Sequence, residues 1–324
     1  MTEKPKQKVW GRWVVLAAVL VGIYLFYVAK IPVIMPEVLL PAEEVFSIGG
    51  FPITNTLIAL FFVDVIVFLI ALSVKNAVAS GKQILTGIAG AVEALVDMLY
   101  GMTEGTAGKW AKAVFPWFVT IMLLVLVANW MELLPGIETI GLIHESPEHG
   151  EYALGHFGPF TTIEKVAEEG EGHGGGYALI PYVRVVSSDL NFTLAIALVV
   201  VVMIQYYGIK SQGMAYFGKF WNTGTVFSKP IFGVIDFGVG LLEVVSEFSK
   251  VLSFAFRLFG NIFAGSVLLF VIGSLVPVFA QSIFYLLEFF VGAIQAFVFG
   301  LLATTFMAQA TQGHGGEHHE EAHA

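Results

Sequence analysis

Along this chain the polar residues are confined to short intervals between long apolar runs. The runs cover Trp13 to Ala29, Thr54 to Val74, Ala113 to Leu134, Ser188 to Tyr207, Phe232 to Val276 and Pro277 to Ala310. A helix of about 20 apolar residues crosses the hydrocarbon core of a bilayer, so each run is long enough for a membrane segment. The run from Phe232 holds about 45 residues with few breakers. It must therefore tilt strongly or lie partly along the membrane.

The intervals differ in character. Residues 30–53 carry Pro32, Pro36, Pro41, Glu43 and Glu44 and predict an irregular extramembrane link. Residues 75–112 place Ile84, Ile88, Val92, Leu95, Val96 and Leu99 at helical spacing, the pattern of an amphipathic helix at the membrane surface. Residues 136–187 form an acidic, glycine-containing loop with His144, His149, His156 and His173. Those histidines lack a recognised zinc-ligand spacing, and a solvated loop is the expectation. The end of the chain, residues 312–324, is rich in His and Glu and predicts a disordered tail.

Composition narrows the class. The 324 residues are 57% hydrophobic and 13% charged, which excludes a soluble domain and exceeds a single anchor. The net charge of −9 sits largely in the central loop and the tail, so it carries no nucleic-acid reading. Cysteine is absent, which removes disulfides, thiolate metal sites and a cysteine nucleophile. No phosphate-binding G-x-x-x-x-G-K-[ST] loop occurs. No cofactor or metal is expected.

Residues 1–30 combine Lys4, Lys6, Lys8 and Arg12 with an apolar run edged by Trp and Tyr, and read as a signal anchor or a signal peptide. Residues 31–311 then form the membrane domain. Placing the N-terminus and the 75–112 and 208–231 intervals on one side collects 11 Lys and Arg residues there, against Lys30, Lys165 and Arg184 opposite. The positive-inside rule makes that side cytoplasmic and turns the acidic loop outward.

The chemistry lies in the polar residues within the apolar runs. Arg257 cannot lose its charge, and a guanidinium in a bilayer costs about 2.5 to 3.5 kcal/mol on insertion scales and more in simulations. Glu243, Lys250 and Arg257 recur at intervals of seven, and Glu247 and Asn261 fall on the same helix face. A ladder of Glu243 or Glu247 with Lys250 explains part of this stripe. Arg257 stands apart, because Glu247 is ten residues or about 15 Å away along a helix. Glu288 and Gln295 are again seven apart in the last run. Asp64, inside the second run, fits either packing at a helix face or a proton path. Ser188 or Asp189 suits a helix N-cap, and the same polar start fits an aqueous mouth.

Arg257-Leu258-Phe259-Gly260-Asn261 with Phe263-Ala264-Gly265 resembles the signature of subunit a of rotary F-type ATP synthases. Asn129-Trp130-Met131-Glu132-Leu133-Leu134-Pro135, the Arg184 to Asn191 segment with Asp189, and Gln295 in Ile294-Gln295-Ala296-Phe297 are similar to further motifs of that family. The resemblance covers the chain from about residue 50 onward. It implies an all-α integral membrane fold: a five-helix core with two long tilted C-terminal helices, to which this chain adds an N-terminal membrane segment. It also implies that the chain is not an enzyme on its own and passes H⁺ or Na⁺ to a ring of c subunits through two half-channels, with Arg257 between them. The implied partners are that ring, the peripheral-stalk b subunits and, indirectly, the soluble ATPase sector, in a bacterial inner membrane. Glu243, Glu288, Gln295 and Asn261 are expected to line the outward half-channel, with Ser266 at a position where relatives carry an acid or histidine and with Asp189 and Asn191 at the inlet. The alternative from the residues alone is a secondary transporter holding an anionic substrate at Arg257; internal repeats, which that class predicts, are absent between the halves.

Overall fold

A computed structural model of the chain describes residues 41–79, 87–134, 137–146, 152–157, 160–165, 176–220, 230–275 and 279–312, together with Leu20. The expected N-terminal anchor or signal peptide, Leu20 apart, and the His/Glu tail beyond Gln312 lie outside the described residues.

Among the described residues six α-helices dominate: α1 (Asn55–Ala79), α2 (Ile88–Ala107), α3 (Ala111–Trp130), α4 (Leu190–Gln212), α5 (Pro230–Leu275) and α6 (Phe279–Thr311). Together with the short 3₁₀ turns at Gly108–Trp110, Met131–Leu133 and Gly213–Lys219, they make, among the described residues, five stretches long and apolar enough to cross a membrane. Helices α1, α3, α4, α5 and α6 follow the apolar runs that predicted them to within a few residues. The expected amphipathic helix appears as α2, which buries Leu99, Thr103 and Ala107 and exposes Glu93, Asp97 and Glu104. Gly108, at φ 51°, separates it from α3 in a conformation that side chains disfavour.

Two of the intervals between the apolar runs contain strands. β1 (Glu44–Ile48) and β2 (Phe51–Thr54) form an antiparallel hairpin in the proline-rich link. In the acidic loop, β3 (Gly141–Ser146) pairs antiparallel with β6 (Gly176–Pro181), and β4 (Tyr152–Phe157) with β5 (Phe160–Lys165). Alternating residues such as Tyr152-Ala-Leu-Gly-His-Phe157 satisfy their backbone groups across a ladder, a solution that glutamate content alone did not reveal. The expectation of an irregular link is corrected accordingly over residues 44–54, while the acidic loop carries its ladders within it.

The core joins α3 through α6. Phe118, Met122 and Val125 of α3 meet Val200 and Ile204 of α4, Phe254, Leu258 and Ile262 of α5, and Phe299, Ala303 and Met307 of α6, all buried. α1 attaches at the edge through Ala59 and Val63 against Ala128, Met131 and Val186. The rest of its length exposes Phe61, Phe62 and Phe68, with Asp64 also exposed. Lipid provides little apolar drive between helices, so close contact and interhelical hydrogen bonds fix the arrangement. Phe118 fills the space over Gly300, where a Cβ would come within 2.6 Å of the ring. At one end of the bundle, which carries the strand ladders, α3 leads out and α4 leads in; at the other, Ser211 donates to the Thr311 carbonyl at 2.7 Å.

Candidate functional site

Arg257 lies on the exposed face of α5, and its Nη2 donates to Ser253 Oγ at 3.4 Å. Among the described residues it has no carboxylate within ion-pair distance. Beside it Gly260 has nothing within 4 Å of a notional Cβ, and Ala264 is exposed. The exposed stripe runs Ser246, Ser249, Ser253, Arg257 and Ala264, spaced by three to four residues except across Gly260. α5 therefore offers an open, small-residue surface with a fixed cation at its centre.

Toward the ladder end, the next turns of α5 meet α3 and α6. Ser266 Oγ donates to Glu132 Oε1 at 2.6 Å, and the Glu288 carboxylate packs on Gly265, whose notional Cβ would come within 2.5 Å of Glu288 Oε2. Both acids are buried, and Glu132 Oε2, Glu288 Oε1 and Asn261 Nδ2 are enclosed without a hydrogen-bond partner. Such groups are costly unless they serve a function or meet water. Gln295 is half-buried, two turns of α6 beyond Glu288.

The Asn129 to Pro135 motif explains this register. Asn129 Nδ2 donates to the Gly292 carbonyl at 3.0 Å, and its Oδ1 accepts from Ser187 Oγ at 2.7 Å. Trp130 Nε1 donates to the Phe289 carbonyl at 3.1 Å, and the two rings stack at 4.6 Å. The end of α3 is thereby fastened to α6 just past Glu288, which brings Glu132 to Ser266. Glu132 is legible in the sequence only as part of the Asn129 to Pro135 motif; its partner is 134 residues away, and no local spacing announces it.

Asp189 is the N-cap of α4: Oδ1 accepts from the Asn191 amide at 2.9 Å and Oδ2 from Thr56 Oγ1 at 2.8 Å. Asn191 is exposed on the first turn. Nearby, Glu138 adopts φ 64° and accepts from the Val185 amide at 3.1 Å. Burial raises its carboxyl above the usual carboxylate range, with the Val185 amide and Arg184 pulling the other way.

At the opposite end, Ser246, Ser249, Lys250, Ser253 and Arg257 line a cleft of about 300 Å³ closed by Phe254, Leu302 and Phe306. The structure does not bring Glu243 to Glu288. Glu243 lies 3.5 Å from Lys219, fourteen residues before Arg257, or about 21 Å along the helix. Glu243 and Glu288, expected to line one route, are thus not brought together: a shared helix face does not mean a shared depth.

Membrane-length helices, an unneutralised arginine on an open face and polar groups on both sides of it define a helical membrane protein that handles ions inside the bilayer. A family model described as ATP synthase A chain matches residues 56–308. The match spans most of the chain, and the chain belongs to that family, subunit a of F-type ATP synthases, as a multi-pass ion-translocating subunit of the Fo sector that is not itself the catalytic part. The anionic-substrate transporter is set aside.

Proposed function

We propose that this chain conducts ions, in the first instance protons, through two half-channels that meet at Arg257 and open to opposite sides of a bacterial inner membrane. The observation that carries this reading is a guanidinium on an open helix face, with buried unsatisfied acids toward one end and a serine-rich cleft toward the other. An arginine cannot itself carry the proton, so titratable carboxylates must be presented by a neighbour. A c-subunit ring with one membrane carboxylate per subunit supplies them, held against the stator by peripheral-stalk b subunits and coupled to the soluble ATPase sector.

In the outward route, Glu132, Ser266, Glu288, Asn261 and Gln295 pass the proton toward the ring, with Asp189 and Asn191 at its mouth. In the cytoplasmic route, Glu243, paired with Lys219 one turn of α5 before Ser246, precedes the cleft that ends at Arg257. The nearby guanidinium favours the ionised ring carboxylate, forces its proton off and blocks a direct leak between the routes. Each charge moved through 100 mV yields about 2.3 kcal/mol, which accumulates over successive steps.

The absence of native cysteine makes the open stripe testable. Ala264→Cys, paired with a cysteine on the outer helix of the ring subunit, should form a disulfide under oxidation in assembled membranes. Crosslinking that instead captures only b subunits, or nothing, would contradict a ring-facing stripe.

A further inference from the structure

Glu247 has no role in the two-route reading, yet its buried carboxylate gathers donors from three elements. Gln205 Nε2 of α4 donates at 2.9 Å, Lys219 Nζ at 3.0 Å and Lys250 Nζ of α5 at 2.9 Å. The 3₁₀ segment Gly213–Lys219 that supplies Lys219 is seated by design of shape. The Tyr216 ring occupies the space where Gly208 lacks a side chain, its hydroxyl donates to Gln205 Oε1 at 2.7 Å, and the Phe220 carbonyl lies over Gly240. Lys219 sits over the Tyr216 and Phe220 rings at 4.3 and 4.4 Å from their centroids. Lys250 alone belongs both to this cluster and to the cleft that ends at Arg257.

We infer that Glu247 is a positioning residue that cancels the charge of Lys250, so that the route on this side of Arg257 contains no second uncompensated cation. The inference rests on the two-route reading. The charged and titratable groups facing Glu247 are Lys219 and Tyr216 from the 3₁₀ segment and Glu243 and Lys250 from α5; α4 adds Gln205, and α6 contributes the Phe306 ring under Lys250. Lys219, Lys250, Glu243 and Glu247 together sum to zero. Removing the Glu247 charge makes the cleft net positive about 10 Å from Arg257 along the helix. At an effective dielectric near 20, that charge lowers proton occupancy about tenfold, less at high salt. Protons entering from this side meet the barrier, whereas protons leaving are helped outward.

The test uses inverted vesicles bearing the whole ATP synthase, with ATP-driven proton pumping measured against external pH and normalised to ATP hydrolysis. Glu247→Gln should move the pumping profile about one unit to acid, with gradient-driven synthesis changed less. Lys250→Gln should move it to alkaline, and Glu247→Gln with Lys250→Gln should return it to the wild-type position. An unmoved profile in assembled Glu247→Gln complexes, or a double variant displaced like the single, overturns the inference. If Glu247→Gln fails to assemble, an unmoved profile in Lys250→Gln overturns it instead. Arg257→Ala run in parallel separates the two levels: blocked transport there with an unmoved Glu247→Gln profile removes only the charge cancellation, while retained transport removes the two-route reading as well.

Discussion

Arg257 could be read at the residue level because a permanent charge inside an apolar run needs a partner, and the nearest acid on its own helix is too far. The structure leaves it with Ser253 alone among the described side chains. Glu288 was legible by its spacing from Gln295, whereas its enclosure against Gly265 and its neighbourhood with Glu132 were not. Those depend on the register of three helices that are far apart in sequence. Glu288→Gln should slow proton flux severalfold while the complex still assembles, read as acidification of vesicles under an imposed potential; unchanged flux would make the residue a packing element. Glu138 gives a pH dependence outside the membrane segments. Its carboxyl is raised in the folded state, so its contribution favours folding below the ordinary carboxylate range and is lost as pH rises through the raised value. Glu138→Gln, which can still accept from the Val185 amide, should flatten the fall of thermal midpoint with rising pH, measured on the purified complex.

At the scale of elements, apolar run length located α1, α3, α4, α5 and α6, since a bilayer sets a minimum length that composition makes visible, whereas α2 was legible only by its helical periodicity. The strands were missed because a ladder of six residues leaves no comparable length signal, and glutamates in the loop masked the alternation. Helix faces were legible, and helix depth was not: Glu243 shares the face of Arg257 and lies near the other end of α5. Two glycines test the contacts between helices in different ways. Gly300→Ala sets a methyl against the Phe118 ring deep in the core and should cost about 1–3 kcal/mol of stability, seen as a lower thermal midpoint. Gly265→Ala meets only the movable end of Glu288, so it should displace that carboxylate and reduce flux with little loss of stability.

For the molecule as a whole, the bundle separates two polar regions by the turns of α5 around Arg257. One end holds the buried acids under the strand ladders; the other holds the Glu247 cluster and the open cleft. On the proposed reading, this division would serve a two-route translocator, with Arg257 on the exposed face of α5 between the two regions. The most direct measurement is ATP synthesis driven by an imposed ion gradient in vesicles carrying Arg257→Ala in an otherwise intact, assembled synthase. Synthesis should fall to background while ATP hydrolysis by the soluble sector persists; sustained gradient-driven synthesis without the guanidinium would contradict the central role given to Arg257.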